Sequence, residues 1–325
     1  MKNYRLGIFM LIAVLAISFN DNTRAGAETL SALNGFSLVS QFQIVDSHGR
    51  SREIDRFSYK SGDLNIMCEV IFPNVETKGP SPVLVLCHGG IDGITNRMRT
   101  KALELADMGY VIVMPSYRGE DGSDGEIEVA VGEVDDVLSC VNLLREDSNI
   151  DKDRIAVIGS SHGALIAAFA AARDPSIPAV ICAYGVMDID TWWRYLIETN
   201  QYDWTDELSK RIYGDGPGDK PDEFDKRSGL KIACEIEPPV MIVQGDSDTL
   251  VPKAQAEALR DEFERCGKKN YKYSVYSGVG HGFIWYTESD VGRKTREDID
   301  TAYRAWVDML EFIENCWHPG ADNIF

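Results

Sequence analysis

From Pro82 onward the chain alternates short strand-like apolar runs with longer stretches of helical periodicity, a rhythm that few folds can accommodate. The runs lie at residues 83–87, 111–114, 155–158, 180–183, 240–243 and 271–276. Between and after them, helical patterns cover 101–108, 131–144, the Ala-rich 164–173, 253–266 and 297–314. A strand that is apolar on both sides has to be covered on both faces, which a parallel sheet with helical crossovers provides. The sequence therefore predicts an α/β class fold, a doubly wound and mostly parallel sheet. Ahead of it, FSYKSGDLNIMCEVIFP from Phe57 reads as two extended runs around Ser61-Gly62-Asp63, a hairpin signal.

Two segments stand outside that rhythm. At the start, Lys2 and Arg5 precede an apolar run at 6–19 and then Ala25-Gly26-Ala27, the three-part pattern of a secretory signal. The run is shorter than the roughly 20 residues a membrane span needs. Residues 1–27 are thus expected to be a cleaved leader, leaving Glu28 first in an exported (periplasmic or secreted) protein with no membrane attachment. Residues 28–325 are then expected to form a single domain. The second break is at about 185–238, too long for a plain connection and rich in aromatics such as Trp192, Trp193, Tyr195 and Trp204. It reads as a small helical cap insertion. Its aromatics either line a substrate pocket, with Trp192 and Trp193 the candidates, or fasten the cap.

Composition narrows the partners. With 33 Lys+Arg against 52 Asp+Glu, the formal charge is −19 over 325 residues, and no basic patch suits a phosphate backbone. Nucleic acid is excluded and a small-molecule substrate favoured; oligomeric state is not legible. Seven cysteines is an odd number. Cys87 and Cys182 sit within apolar strands and read as buried thiols. Cys68, Cys140, Cys234, Cys266 and Cys316 can supply one or two bridges whose pairing the sequence does not choose. No CxxC, no HExxH and no clustered ligand set points to a metal. The loop at 119–126 lacks calcium-loop spacing, and the glycines at 214, 216 and 218 lack the lysine–hydroxyl pair of a phosphate loop.

One motif carries chemistry. Gly159-Ser160-Ser161-His162-Gly163 falls between the strand at 155–158 and the Ala-rich helix, the G-x-S-x-G pattern of a nucleophile elbow. The turn is tight enough that positions two either side of the nucleophile must lack side chains, which selects Ser161 over Ser160. A serine hydroxyl needs a base, and the base an orienting carboxylate. After the strand at 240–243 comes Gln244-Gly245-Asp246-Ser247-Asp248, and after the last strand comes Gly278-Val279-Gly280-His281-Gly282. His281 is the candidate base; Asp246 and Asp248 are both candidate acids. Donors to the developing oxyanion are expected from the backbone N–H of His162 and of Gly90, with Gly89 in reserve, in the His88-Gly89-Gly90 loop. The side chains of His88 and His162 are read as structural.

In order and spacing, CHGG, SYRGEDGSDGE, GSSHG, QGDSDTLVP and SGVGHGF resemble the hydrolase domain of the prolyl oligopeptidase family, and dienelactone-hydrolase-like members of the α/β-hydrolase superfamily look similar. The resemblance spans about residues 57–314 and implies the α/β-hydrolase fold. It implies Asp248 as the acid, since the family's G-x-x-D-x-x-V falls on Gly245, Asp248 and Val251. It places Tyr117-Arg118-Gly119 on a loop that either shapes the substrate pocket or serves as a structural turn. Two departures bear on specificity: about 55 residues between Glu28 and Pro82 are too few for a β-propeller, and Ile91 stands where the family has proline after HGG. The expectation is a serine hydrolase, needing no cofactor, that cleaves carboxylic esters or short-peptide amides. The alternative is a catalytically silent binding protein of the same fold.

Overall fold

The computed structural model describes residues 32–46, 48–75, 79–201 and 206–320; the leader at 1–27, like Tyr202 and Trp204, lies outside the described residues. Among the described residues, nine strands form one sheet in the order β1-β2-β3-β5-β4-β6-β7-β8-β9. The first three, β1 (Ser37–Val45), β2 (Ser51–Ser61) and β3 (Leu64–Ile71), are antiparallel. They join the rest through an antiparallel β3–β5 pair. From β5 (Val111–Pro115) through β4 (Ser81–Cys87), β6 (Ile150–Ser160), β7 (Ala179–Ala183), β8 (Val240–Gly245) and β9 (Tyr271–Tyr276) every pairing is parallel. This is the α/β-hydrolase architecture.

The central strands β4, β5, β7 and β8 are buried along their whole length, because each face carries its own core. On one face α2 (Gly132–Glu146), α3 (His162–Arg173) and α7 (Ala254–Arg265) cover a cluster including Val83, Val85, Val137, Ile166 and Leu259. On the other, α1 (Asn96–Ala106) and α8 (Arg296–Trp317) cover Leu84, Leu86, Ile158, Trp306 and Met309. Odd and even residues of one strand thus serve opposite cores, as the period of two requires.

Between β7 and β8 the chain leaves the sheet for α4 (Ile189–Glu198), α5 (Glu207–Tyr213) and α6 (Pro221–Asp225). Their apolar faces make a third, smaller cluster with Val186, Ile189, Ile212, Phe224 and Val251. A disulfide joins Cys234, at the end of this stretch, to Cys266 at the end of α7. Cys68, Cys87, Cys140 and Cys182 are buried free thiols. No helix among the described residues is long and apolar enough to cross a membrane.

Candidate active site

Ser161 stands between β6 and α3, as the cap residue of α3, with φ 54° and ψ −120°, a backbone region that side chains rarely enter. The turn survives because its flanks are bare. A Cβ on Gly159 would run into the carbonyl of Gly163, and one on Gly163 into the carbonyl oxygens of Cys87 and His88. The Ser161 N–H is tied to the Ala183 carbonyl at 2.9 Å, anchoring the elbow to β7. Its hydroxyl stands at the carboxyl edge of the sheet, where the β8 and β9 loops also arrive.

Those loops deliver the other two side chains. His281 Nε2 lies 3.0 Å from Ser161 Oγ, and its Nδ1 lies 2.8 Å from Asp248 Oδ2. With Nδ1–H donating to the carboxylate, Nε2 keeps the lone pair that accepts the serine hydroxyl. The Asp248 side chain is fully buried, and its Oδ1 accepts the N–H groups of Leu250 (3.0 Å) and Val251 (2.9 Å). Asp246, the other candidate acid, is exposed and turns away. It accepts from Ser277 Oγ (2.6 Å) and the Gly278 N–H (2.7 Å), bonds that hold its carboxyl below the usual range. It thereby ties the acid loop to the histidine loop. Tyr184, which the sequence did not single out, packs its buried ring edge-on to His281 at 4.8 Å. Its position just past β7 was the available signal, since site residues of such sheets gather at strand ends.

Of the expected oxyanion donors, His162 directly follows the serine, and the loop that carries Gly90 packs on the elbow through Gly89. His162 is the first residue of α3, and first-turn N–H groups have no carbonyl within their own helix. Its imidazole Nδ1 lies 2.9 Å from the Gly90 carbonyl, so the elbow and the HGG loop are bonded to each other. Gly90 takes φ +72°. A Cβ on Gly89 would sit 2.9 Å from both the Ser160 carbonyl oxygen and Ser161 Cβ, so that loop presses directly on the elbow.

Beneath the loop, His88 is buried with its ring stacked on Tyr117 at 4.2 Å and its Nε2 3.2 Å from the buried Glu120 carboxylate. Burial pushes Glu120 up to about 8 and His88 down to about 4. Burial also lowers His162. Tyr117 requires a correction: it is 0% exposed and its hydroxyl donates to the His88 carbonyl at 3.2 Å, so it braces the loop from below and has no surface to offer a substrate. Trp192 and Trp193 are half-buried. The Trp192 indole donates to the Leu250 carbonyl at 2.8 Å, and Trp193 packs edge-on against Phe224. Both fasten the inserted helices. Among the described residues no group of three or more His, Cys, Asp or Glu side chains is placed to hold a metal ion.

Comparison with known proteins agrees with the fold. A family model described as the prolyl oligopeptidase family matches residues 96–307. The peptidase YtmA of Bacillus subtilis (strain 168) is 24% identical over 193 residues, 58% of this chain and 73% of that one. The acylamino-acid-releasing enzyme of Mus musculus is 25% identical over 258 residues, 71% of this chain but 33% of that enzyme. The Pyrococcus horikoshii acylaminoacyl peptidase superimposes with a TM-score of 0.65 at 21% identity, covering 84% of this chain and 46% of that one. The chain thus spans about a third of the mouse enzyme and less than half of the archaeal one.

Proposed function

The chain belongs to the prolyl oligopeptidase family, and from that premise we propose that it is an exported serine hydrolase acting on carboxylic esters or short-peptide amides. The reading is carried by one observation: His281 stands between the Ser161 hydroxyl and a buried Asp248, at hydrogen-bond distance from both.

In this reading Ser161 Oγ attacks the substrate carbonyl carbon while His281 Nε2 takes its proton. The imidazolium so formed is stabilised by Asp248, which also fixes the tautomer. The carbonyl oxygen, now negative, is met by the N–H groups of His162 and Gly90, each such donor being worth about 3 kcal/mol in the transition state. His281 then protonates the leaving alcohol or amine. An acyl-serine remains, and water releases it by the same steps in reverse order. The relatives' names, peptidase and acylamino-acid-releasing enzyme, support a peptide or acylated amine as substrate; the same groups serve esters equally. The leader at 1–27 supports export, and the Cys234–Cys266 bridge fits an oxidising compartment.

A fluorophosphonate probe tests the reading. It should label the wild type and leave Ser161→Ala unlabelled; a folded wild type that does not react would favour a silent binding protein. Turnover of p-nitrophenyl acyl esters beside dipeptide, Xaa-Pro and acylamino-acid amides then assigns the leaving group.

A further inference from the structure

The two peptide units that hold Asp248 have a second set of partners. Asp248 Oδ1 accepts the N–H of Leu250, in the 249–250 peptide, and the N–H of Val251, in the 250–251 peptide. The opposite ends of those same peptides are the carbonyls of Thr249 and Leu250. Each is taken by the inserted segment: Tyr195 Oη donates to the Thr249 carbonyl at 2.6 Å, Gln201 Nε2 to the same oxygen at 3.0 Å, and Trp192 Nε1 to the Leu250 carbonyl at 2.8 Å. Two further bonds pin the base of α4: Gln255, just past the acid loop, accepts the Asp188 N–H at 2.8 Å and donates to Thr191 at 2.9 Å.

We infer that α4 with its following turn is a positioning element for the proposed acid, with Tyr195, Gln201 and Trp192 acting on Asp248 through the 249–250 and 250–251 peptides. The inference rests on the hydrolase reading above and extends it. Two physical effects run along this path. The carbonyl bonds fix the orientation of both amides, and so the direction in which their N–H groups meet the carboxylate. A bonded carbonyl also polarises its amide and strengthens the N–H at the other end, the cooperativity of hydrogen-bonded chains. The same contacts make the seating of the insertion a condition for a well-held Asp248–His281 pair. A helix that merely covered the sheet would have no reason to place polar side chains on both of these carbonyls.

The test compares Trp192→Phe and the combined Tyr195→Phe/Gln201→Ala variant with wild type, using p-nitrophenyl acetate, a substrate too small to need the insertion. A same-helix control is Arg194→Ala, whose side chain is exposed and pairs with Asp190. The expected result is a kcat lower by about 10- to 100-fold with KM nearly unchanged. The acid limb of the kcat/KM pH profile moves as well, since the carboxylate that partners the base is less firmly held, while the control keeps both values. Variants with wild-type kcat and an unmoved limb would overturn the inference, as would a lowered melting temperature and kcat with the limb in place, the mark of general loosening. If the combined variant does not fold, Trp192→Phe carries the test with the same readouts. A wild type that neither reacts with the fluorophosphonate nor turns over ester removes the hydrolase reading and this inference with it; an active, labelled wild type beside unaffected variants removes this inference alone.

Discussion

Two aspartates two residues apart have opposite surroundings, and the contrast gives a sharp expectation. Asp248 is buried against His281, whereas Asp246 is exposed and spends its oxygens on Ser277 and Gly278. Asp248→Asn keeps the shape but offers an amide N–H to Nδ1, forcing the proton to the wrong nitrogen. Its kcat should fall about 10⁴-fold. Asp246→Asn, which weakens only a loop tie, should cost less than about 10-fold; esterase kinetics on the two variants decide, and similar losses would contradict the assignment. Spacing alone left the two open, because both lie within reach of a loop histidine; the family resemblance chose Asp248, and burial, a property of the folded rim, separates them in the structure. The buried pair under the HGG loop carries a second expectation. Glu120, held near 8, retains a proton that the unfolded chain loses around 4.5, so its share of stability declines as pH rises through 8. His88, held near 4, stays neutral where the unfolded chain is protonated, so its share grows with pH up to about 6.5. The two oppose each other below pH 6.5, leaving a net decline between about 6.5 and 8. Melting temperatures at those two pH values should differ in the wild type and differ less in Glu120→Gln.

At the scale of elements, the elbow shows how far a local pattern determines packing. Because Gly163 sits against the Cys87 and His88 carbonyls, Gly163→Ala forces α3 away from β4 and drags the HGG loop with it. Overpacking of this kind costs about 1–3 kcal/mol. The variant should show a lowered melting temperature together with loss of fluorophosphonate labelling; retention of full labelling would mean that the contact relaxes without moving the serine. Elements whose stability comes from burial were legible in the sequence, since residues 83–87 and 240–243 announce themselves as apolar runs. Boundaries set by other forces were not. Helix α1 begins at Asn96, five residues before the periodicity suggests, because Thr95 caps it by accepting the Met98 N–H. Strand β6 reaches back to Ile150 through Asp-Lys-Asp-Arg because Ile150 pairs with Ser81 of β4 beyond an irregularity in the ladder between Ser81 and Val83. Strand β1 left only a faint signal, the alternation of Phe42 and Ile44, whose half-buried side chains pack on the core while the rest of the strand is exposed and held by its ladder with β2.

Over the whole molecule, the disulfide determines what becomes of the chain when its surroundings change. Cys234 and Cys266 are 32 residues apart in sequence, and the loop they close contains β8, the Asp248 loop and α7. By the entropy of closing such a loop, the bond stabilises the fold by about 3–4 kcal/mol, which for a domain of this size corresponds to a melting temperature higher by roughly 6 °C. The remaining buried thiols, Cys68, Cys87, Cys140 and Cys182, are pushed upward by burial and stay inert toward oxidant and alkylating reagent alike. The sequence offered five candidates for bridging without choosing among them, because the choice depends on where β8 and α7 place their ends. Dithiothreitol should therefore lower the melting temperature of the wild type by about that amount. It should have no effect on a Cys234→Ser/Cys266→Ser variant, which starts from the lower value. The seating of the Ser161, His281 and Asp248 side chains depends on hydrogen bonds at the opposite, carboxyl edge of the sheet, so fluorophosphonate labelling at 25 °C, and any ester turnover the proposed function predicts, should survive reduction. A wild type whose melting temperature ignores reductant would mean that the bridge adds nothing to the fold. An abrupt loss of activity at 25 °C would mean instead that the covalent closure reaches the rim, holding the acid loop as well as the far ends of β8 and α7.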